Sequence, residues 1–383
     1  MSQYFIPQLN LHRSTSHTIL SSNISPKSTQ TREQKTAMSD NKTKEVAEPT
    51  DEVENQAAAE ATVSSEDELE KEEPKQEEQA VEDARELVIV DQDAFDVDLN
   101  HSRVAKIENL ENLTRCETLC LRQNLVKKIE GLSTLVTLRE LDLYDNQLTK
   151  IENLEALVNL EQLDLSFNHI RTIEGLEGLT RVTKLFLVQN KIQTVENIEH
   201  LVNVEMLELG ANRIRKIQGI DKLTRLSSLF LGKNKITTLS GLDTLVNLTC
   251  LSIQDNRLVT IQGLECLVNL EELYMSHNGI EKIQGLDKNL RLTTLDLAEN
   301  KIKKIENIAH LTELQEFWFN DNQVSTWDNV DALIPLKNLE TVYLERNPLW
   351  YDPSDNKKVD VNYRRKIKLA LPWIKQIDAT LSR

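Results

Sequence analysis

The stretch LDLYDNQLTKIENLEALVNL, residues 141–160, holds two hydrophobic periods in succession. Leu141 and Leu143 flank Asp142, and a period of two predicts a short strand with one buried face. Beyond Asn146 the apolar residues fall at Leu148, Ile151, Leu154, Leu157 and Leu160, a period of three. Three residues per turn belongs to the 3₁₀ conformation rather than the α-helix, so a tight, 3₁₀-like return path is expected.

Asn146 is one member of a series. Asparagine recurs at Asn124, Asn146, Asn168, Asn190, Asn212, Asn234, Asn256, Asn278, Asn300 and Asn322, at intervals of 22 residues, and Asn347 follows after 25. Ser102 holds the same slot 22 residues before Asn124, which makes twelve units. No such unit can bury its leucines alone, whereas stacked units share one continuous core. The asparagine amide both donates and accepts, so a stacked ladder of them can satisfy backbone groups where the chain leaves each strand. Seven residues further on stand Asn109, Gly131, Asn153, Gly175, Asn197, Gly219, Gly241, Gly263, Gly285, Asn307 and Asn329. Glycine and asparagine best tolerate positive φ, so a left-handed backbone is expected at each.

The Leu-x-Leu-x-x-Asn-x-Ile signature in a 22-residue unit resembles the short leucine-rich repeats of intracellular proteins. The ending, Asn347-Pro348-Leu349 through Tyr363-Arg364 to Leu371-Pro372-Trp373-Ile374 and Ile377-Asp378, is similar to that class's C-terminal cap, which covers the last leucine layer. The fold expected is an α/β leucine-rich-repeat solenoid. It has a curved parallel sheet on its concave side and 3₁₀ or short helical segments on its convex side. At about 4.8 Å per strand the sheet would run roughly 50–60 Å. The repeats are placed at residues 91–347 and the cap at 348–383, after an N-terminal region, 1–90, that is acidic from about residue 40.

The charge of −17 is concentrated: residues 1–39 carry +3, residues 40–98 carry −17, and residues 99–383 only −3. From Met38 to about Glu86 the chain is rich in Glu, Lys, Ala, Gln and Ser, a composition that cannot offset chain entropy by burial and reads as disordered. Ser64 and Ser65, ahead of Glu66, Asp67 and Glu68, suit an acid-directed kinase, although a solvated solubility tail is the plainer reading. Residues 1–37 read as a non-targeting extension, and Met38 would serve as an alternative start.

No basic stripe tracks phosphates, which argues against nucleic acid, and no apolar run approaches the roughly 18 residues of a membrane span. Cys116, Cys120, Cys250 and Cys266 lack metal or disulfide spacing, which favours a reducing compartment. There is no phosphate loop, His-Glu-x-x-His or nucleophile elbow, so neither enzyme activity nor a cofactor or metal is expected. His200 and His310 hold equivalent repeat positions five units apart and cannot share a site, while the sequons at Asn112 and Asn247 are what chance provides in so asparagine-rich a chain.

One column is different. The residue four before each asparagine lies between two buried strand positions and points out of the sheet. The column reads Cys120, Asp142, Asp164, Phe186, Glu208, Phe230, Ser252, Tyr274, Asp296, Trp318 and Tyr343. Five of these eleven are aromatic against 4% in the whole chain, and such residues in water beside carboxylates form a protein-contact surface. Aromatics do suit strands in general, but that preference does not place them in one column.

Twelve short repeats, an acidic extension and this cap together resemble the protein phosphatase 1 regulatory subunit 7 family. The resemblance covers residues from about 90 to 383 and implies contact with the phosphatase through the concave face. Asp164, Phe186, Glu208, Phe230, Asp296, Glu316, Trp318 and Tyr343 keep the acidic or aromatic type at the matching positions. It further implies control of phosphatase activity, maturation or localisation, including in mitosis, a nuclear and cytoplasmic location, and room for a third regulatory protein. The chain alone is expected to be monomeric. A Lys/Arg-Val/Ile-x-Phe/Trp docking sequence is absent, so a folded face would have to do the binding. The competing readings are a cytoskeletal or axonemal scaffold and a ribonucleoprotein component built on the same repeats.

Overall fold

A computed structural model of the chain describes residues 91–382. Met38, Ser64, Ser65 and nearly all of the acidic N-terminal region lie outside the described residues. Each unit contributes one three-residue strand, from β1 (Asp96–Asp98) to β12 (Thr341–Tyr343). Neighbouring strands pair in parallel and in register, with Leu119 opposite Leu141 and Leu141 opposite Leu163. The alternation is what sets the buried face: Leu141 and Leu143 are 1% exposed or less, whereas Asp142 between them faces outward and is half-buried. Leu148, Ile151, Leu154, Leu157 and Leu160 close the same core from the return path, all fully buried.

The return path keeps its period of three but forms no continuous 3₁₀ helix in the repeats. Leu157 donates to the carbonyl of Leu154, and Leu160 to that of Leu157, each at 3.0 Å. Hydrogen bonds at every third residue close separate turns rather than a continuous helix. A short helix, α1 (Asp328–Asp331), stands in the eleventh unit and carries Asn329. Asn329 therefore departs from the expected left-handed series; its Oδ1 instead accepts the Ile305 N–H at 2.9 Å.

The other ten members of that series have φ between 58° and 76°. At Gly175 a Cβ would stand 2.5 Å from the Ile151 carbonyl oxygen of the unit before. Where asparagine takes the slot, as at Asn153, its amide donates to the corresponding carbonyl, that of Ile129, at 2.6 Å. A second left-handed position escaped the sequence reading. The residue before every ladder asparagine, from Gln123 to Arg346, has φ of 52–57°. These residues share no type, so no pattern marks them; from Gln123 to Asp321 each amide donates to a carbonyl of the next unit, as Phe167 does to Val188 at 2.7 Å.

The asparagine ladder meets the expectation in detail. Asn212 Oδ1 accepts the Ile192 N–H at 3.0 Å, and Nδ2 faces the carbonyls of Leu187 (2.8 Å), Leu209 (3.1 Å) and Gly210 (3.2 Å). An outer ladder runs parallel to it: Asn159, Asn203, Asn247 and Asn269 donate to carbonyls of the unit before at 2.8–2.9 Å. The Asn247 sequon thus has a structural occupation. His200 and His310 do the same, with Nε2 2.9 and 3.1 Å from the carbonyls of Leu176 and Leu286.

At the far end α2 (Tyr363–Ala370) buries Tyr363 and Ile367, and β13 (Gln376–Ile377) adds to β12. Asp378 Oδ1 accepts the N–H groups of Leu344 (3.0 Å) and Glu345 (3.1 Å), the first of which is the strand donor that the next unit's carbonyl takes elsewhere, as Asp164 does for Leu143. The buried amide of Asn212 yields a quantitative expectation. Asn212→Ala strands one donor and several acceptors in the core and should cost about 2–4 kcal/mol of stability in urea unfolding. Asn203→Ala, on the wetter outer ladder, should cost less than about 1 kcal/mol.

Candidate protein-binding face

Register brings the column residues side by side. Asp164 lies opposite Phe186, Phe186 opposite Glu208, and Glu208 opposite Phe230. Further along, Asp296 lies opposite Trp318 and Trp318 opposite Tyr343, with Glu316 at the head of the Trp318 strand. Ser252 and Tyr274 separate the two runs. All eight expected contact residues are therefore on one face, and seven of them are half-buried.

Asp296 is the exception, at 2% exposed. The expectation that the whole column stands in water fails there because Tyr274 and Trp318, on the flanking strands, lean together to a ring separation of 6.2 Å. The carboxylate between them is held by the Ala298 N–H at 3.0 Å and the Gln254 side-chain amide at 3.3 Å. Burial pushes its pKa up to about 6 despite those donors. Asp296 supports the aromatic surface from beneath. Ser252 is buried as well, its hydroxyl bonded to Gln254 Oε1 at 2.9 Å.

The aromatic group continues through Trp318 to Tyr343, 5.9 Å apart edge to face. Each ring is pinned by a polar partner. The Tyr274 hydroxyl donates to Glu272 at 2.9 Å, the Trp318 indole N–H donates to Glu316 at 3.2 Å, and the Tyr343 hydroxyl accepts from Gln376 at 2.9 Å. Glu272 and Gln376 were not singled out from the sequence. Glu272 could have been, since it stands two before Tyr274 as Glu316 stands two before Trp318.

A second group at the other end also lies partly outside the expected column. Arg122 pairs with Asp142 at 3.0 Å and covers the Tyr144 ring at 4.1 Å, and Tyr144 lies 4.7 Å from Phe167. Phe167 is 40% exposed, large for an aromatic held by its neighbours. Reading the columns two and one before each asparagine would have found Arg122, Tyr144 and Phe167. Asp164, beside this group, has its pKa raised to about 6, chiefly by burial, with Asp142 adding and the Ser166 N–H and Arg122 opposing. Glu208 is raised too, by burial first and then by Asp164.

Among the described residues no three His, Cys, Asp or Glu side chains are grouped to hold a metal ion. The Cys116 and Cys120 thiols are pushed up to about 11, mainly by burial, which keeps them protonated and unreactive. Pre-positioned rings and carboxylates of low solvation are instead what a protein partner reads.

The raised pKa of Asp164 makes its contribution to stability depend on pH. A carboxyl that holds its proton more tightly when folded opposes folding once ionised; the penalty is full above about pH 6 and shrinks as pH falls toward 3.8. Asparagine keeps an acceptor for Ser166 without the charge. Asp164→Asn should therefore raise the melting temperature at pH 7.5 by about 2–4 °C. Melts followed by circular dichroism should show that advantage closing in acid; a gap independent of pH would rule out burial of charge as its source.

The family description "Leucine Rich repeats (2 copies)" matches residues 114–156, 136–178, 158–200, 202–244, 246–288 and 290–332. Over 56 residues, 15% of its length, the chain is 55% identical to protein phosphatase 1 regulatory subunit 7 of Xenopus tropicalis, covering 16% of that protein. Over 58 residues, again 15%, it is 59% identical to the Homo sapiens protein of the same name, covering 14%. It is also 49% identical over 51 residues, 13% of the chain, to protein phosphatase 1 regulatory subunit SDS22 of Schizosaccharomyces pombe, covering 14%. These matches span only 14–16% of the length of the curated relatives. Among solved structures, an internalin from Listeria monocytogenes superposes with a TM-score of 0.61 at 25% identity, over 79% of this chain and 93% of that one. A leucine-rich-repeat protein of Leptospira interrogans gives 0.57 at 25% identity, over 70% and 73%. The repeat family accounts for more than half of the sequence, and the chain belongs to the leucine-rich-repeat proteins.

Proposed function

We propose that this chain is a non-catalytic regulatory subunit that receives the catalytic subunit of protein phosphatase 1 on the concave face of its repeats. The observation that carries the reading is the pair of in-register runs of acidic and aromatic side chains, Asp164 to Phe230 and Asp296 to Tyr343. The relatives named as regulatory subunits of that phosphatase support the choice of partner. So does the missing linear docking sequence, which leaves binding to a folded surface.

The physics suits the role. Trp318 and Tyr274 are locked by Glu316 and Glu272, so little side-chain entropy is lost when a partner covers them. Large, rigid rings beside carboxylates of low solvation are the residue types that dominate binding energies. Metal ions in such a complex belong to the phosphatase. On this reading the chain controls the enzyme's activity, maturation or localisation, in nucleus and cytoplasm and during mitosis. It is monomeric alone and can admit a third regulatory protein; it uses neither nucleic acid nor membrane.

The double variant Trp318→Ala with Glu208→Ala removes one anchor from each run. It should weaken binding of the catalytic subunit at least about 100-fold in pull-down and titration, with the circular dichroism of the repeats unchanged. Full binding by the folded double variant would sink the assignment of the site.

A further inference from the structure

We propose that the concave face contains a slot for one arginine side chain of the docked protein, floored by Gly210 and Gly232 and walled by Phe186, Glu208 and Phe230. The inference rests on the protein-binding reading of this face and names the group that the face receives.

The glycines supply the first argument. Six of the chain's ten glycines have positive φ, and a Cβ on any of them would stand 2.5–3.1 Å from a backbone carbonyl. Gly178 and Gly279 would meet carbonyls at 3.0 and 3.3 Å. Gly210 and Gly232 are under neither constraint: their φ is not left-handed, and the nearest atom to an added Cβ lies at 3.5 and 3.6 Å, ordinary contact. Glycine loses more chain entropy on folding than any other residue, so two adjacent copies that the scaffold does not require keep something open. Both stand two before a ladder asparagine, on the outward face of consecutive units, in a column that elsewhere ranges from Ala298, Ser166 and Ser276 to Arg122, Tyr144 and Gln254 but holds no other glycine.

The walls supply the second. Glu208 lies between Phe186 and Phe230 on adjoining strands, and Gly210 follows it by two residues on the same face. Among the described residues no donor bonds its carboxylate and no cation lies within ion-pair distance. Burial and the charge of Asp164 both press on it, with nothing opposing. A partly desolvated carboxylate between two aromatic residues, beside a floor without side chains, fits a planar cation. Guanidinium matches all three features, stacking on the rings while its paired N–H groups meet the carboxylate.

The test uses small probes first. Methylguanidinium titrated into the ¹⁵N-labelled full chain should shift the Gly210 and Gly232 amide resonances, saturating at millimolar concentration. N-methylurea, planar but neutral, should bind at least about 10-fold more weakly, and Glu208→Gln should abolish the response. Equal shifts with N-methylurea, an undiminished response in Glu208→Gln, or tighter binding of methylammonium would overturn the arginine assignment. In a second arm, Gly210→Ile with Gly232→Ile fills the floor. It should weaken binding of the phosphatase catalytic subunit at least about 10-fold at an unchanged melting temperature, and full binding by the folded variant would refute the slot. Should the wild-type chain ignore the phosphatase altogether, the proposed function falls while the methylguanidinium titration still decides the slot.

Discussion

Eleven of the twelve units of this protein hang on one side-chain amide. In each turn the chain must leave a strand and bend back across the core, which exposes carbonyls to a leucine interior. The ladder asparagine meets three of them with Nδ2 and accepts an N–H from the preceding unit with Oδ1, as Asn146 does for Leu121, Leu143, Tyr144 and Val126. Because the bonds run to the neighbouring unit, the amide satisfies its own turn and fixes the stacking distance together. That dependence explains the strict 22-residue interval better than the leucines do. A leucine layer tolerates small shifts in position, whereas a buried polar group does not tolerate losing its partner.

A scaffold fixed in this way leaves its outward columns free to vary, and two kinds of surface result. Near both ends of the column, rings and charges are cross-braced: Arg122 on Tyr144 and Asp142 at one end, Trp318 with Glu316, Tyr274 and Tyr343 at the other. Between them, Phe186, Glu208 and Phe230 border a floor of bare backbone and have no such bracing. The braced groups present a rigid relief, and the unbraced stretch has an unmet electrostatic demand. A partner that answers both gains contact area on the first and directional bonding in the second.

Much of this could be read in advance. Strand positions, the buried face, the amide ladder and ten of the eleven left-handed Gly/Asn slots followed from period and residue type, because each has a local steric or hydrogen-bonding cause that only a few residues meet. The second left-handed series, from Gln123 to Arg346, could not be read so. Its conformation is imposed by bonds to the next unit on residues as different as Phe167, Ala211 and Glu299. Nor could the return path be settled: a period of three fits a continuous 3₁₀ helix and a chain of separate turns equally well.

The sequence by itself determined the repeat, its core and the column on which function is proposed, since these depend on spacing along the chain. Only the tertiary structure decided what each column member does. Asp296 and Asp164 are the same residue at the same repeat position. Asp296 disappears beneath two rings that lean together across it, while Asp164, half-buried beside Phe186, keeps part of its side chain open to solvent. Likewise Gly210 and Gly175 are alike as letters, and only the distance from an absent Cβ to the nearest carbonyl separates an opening in the surface from a necessity of the backbone. Burial and clearance are set by neighbours one unit away, which meet only when the units stack.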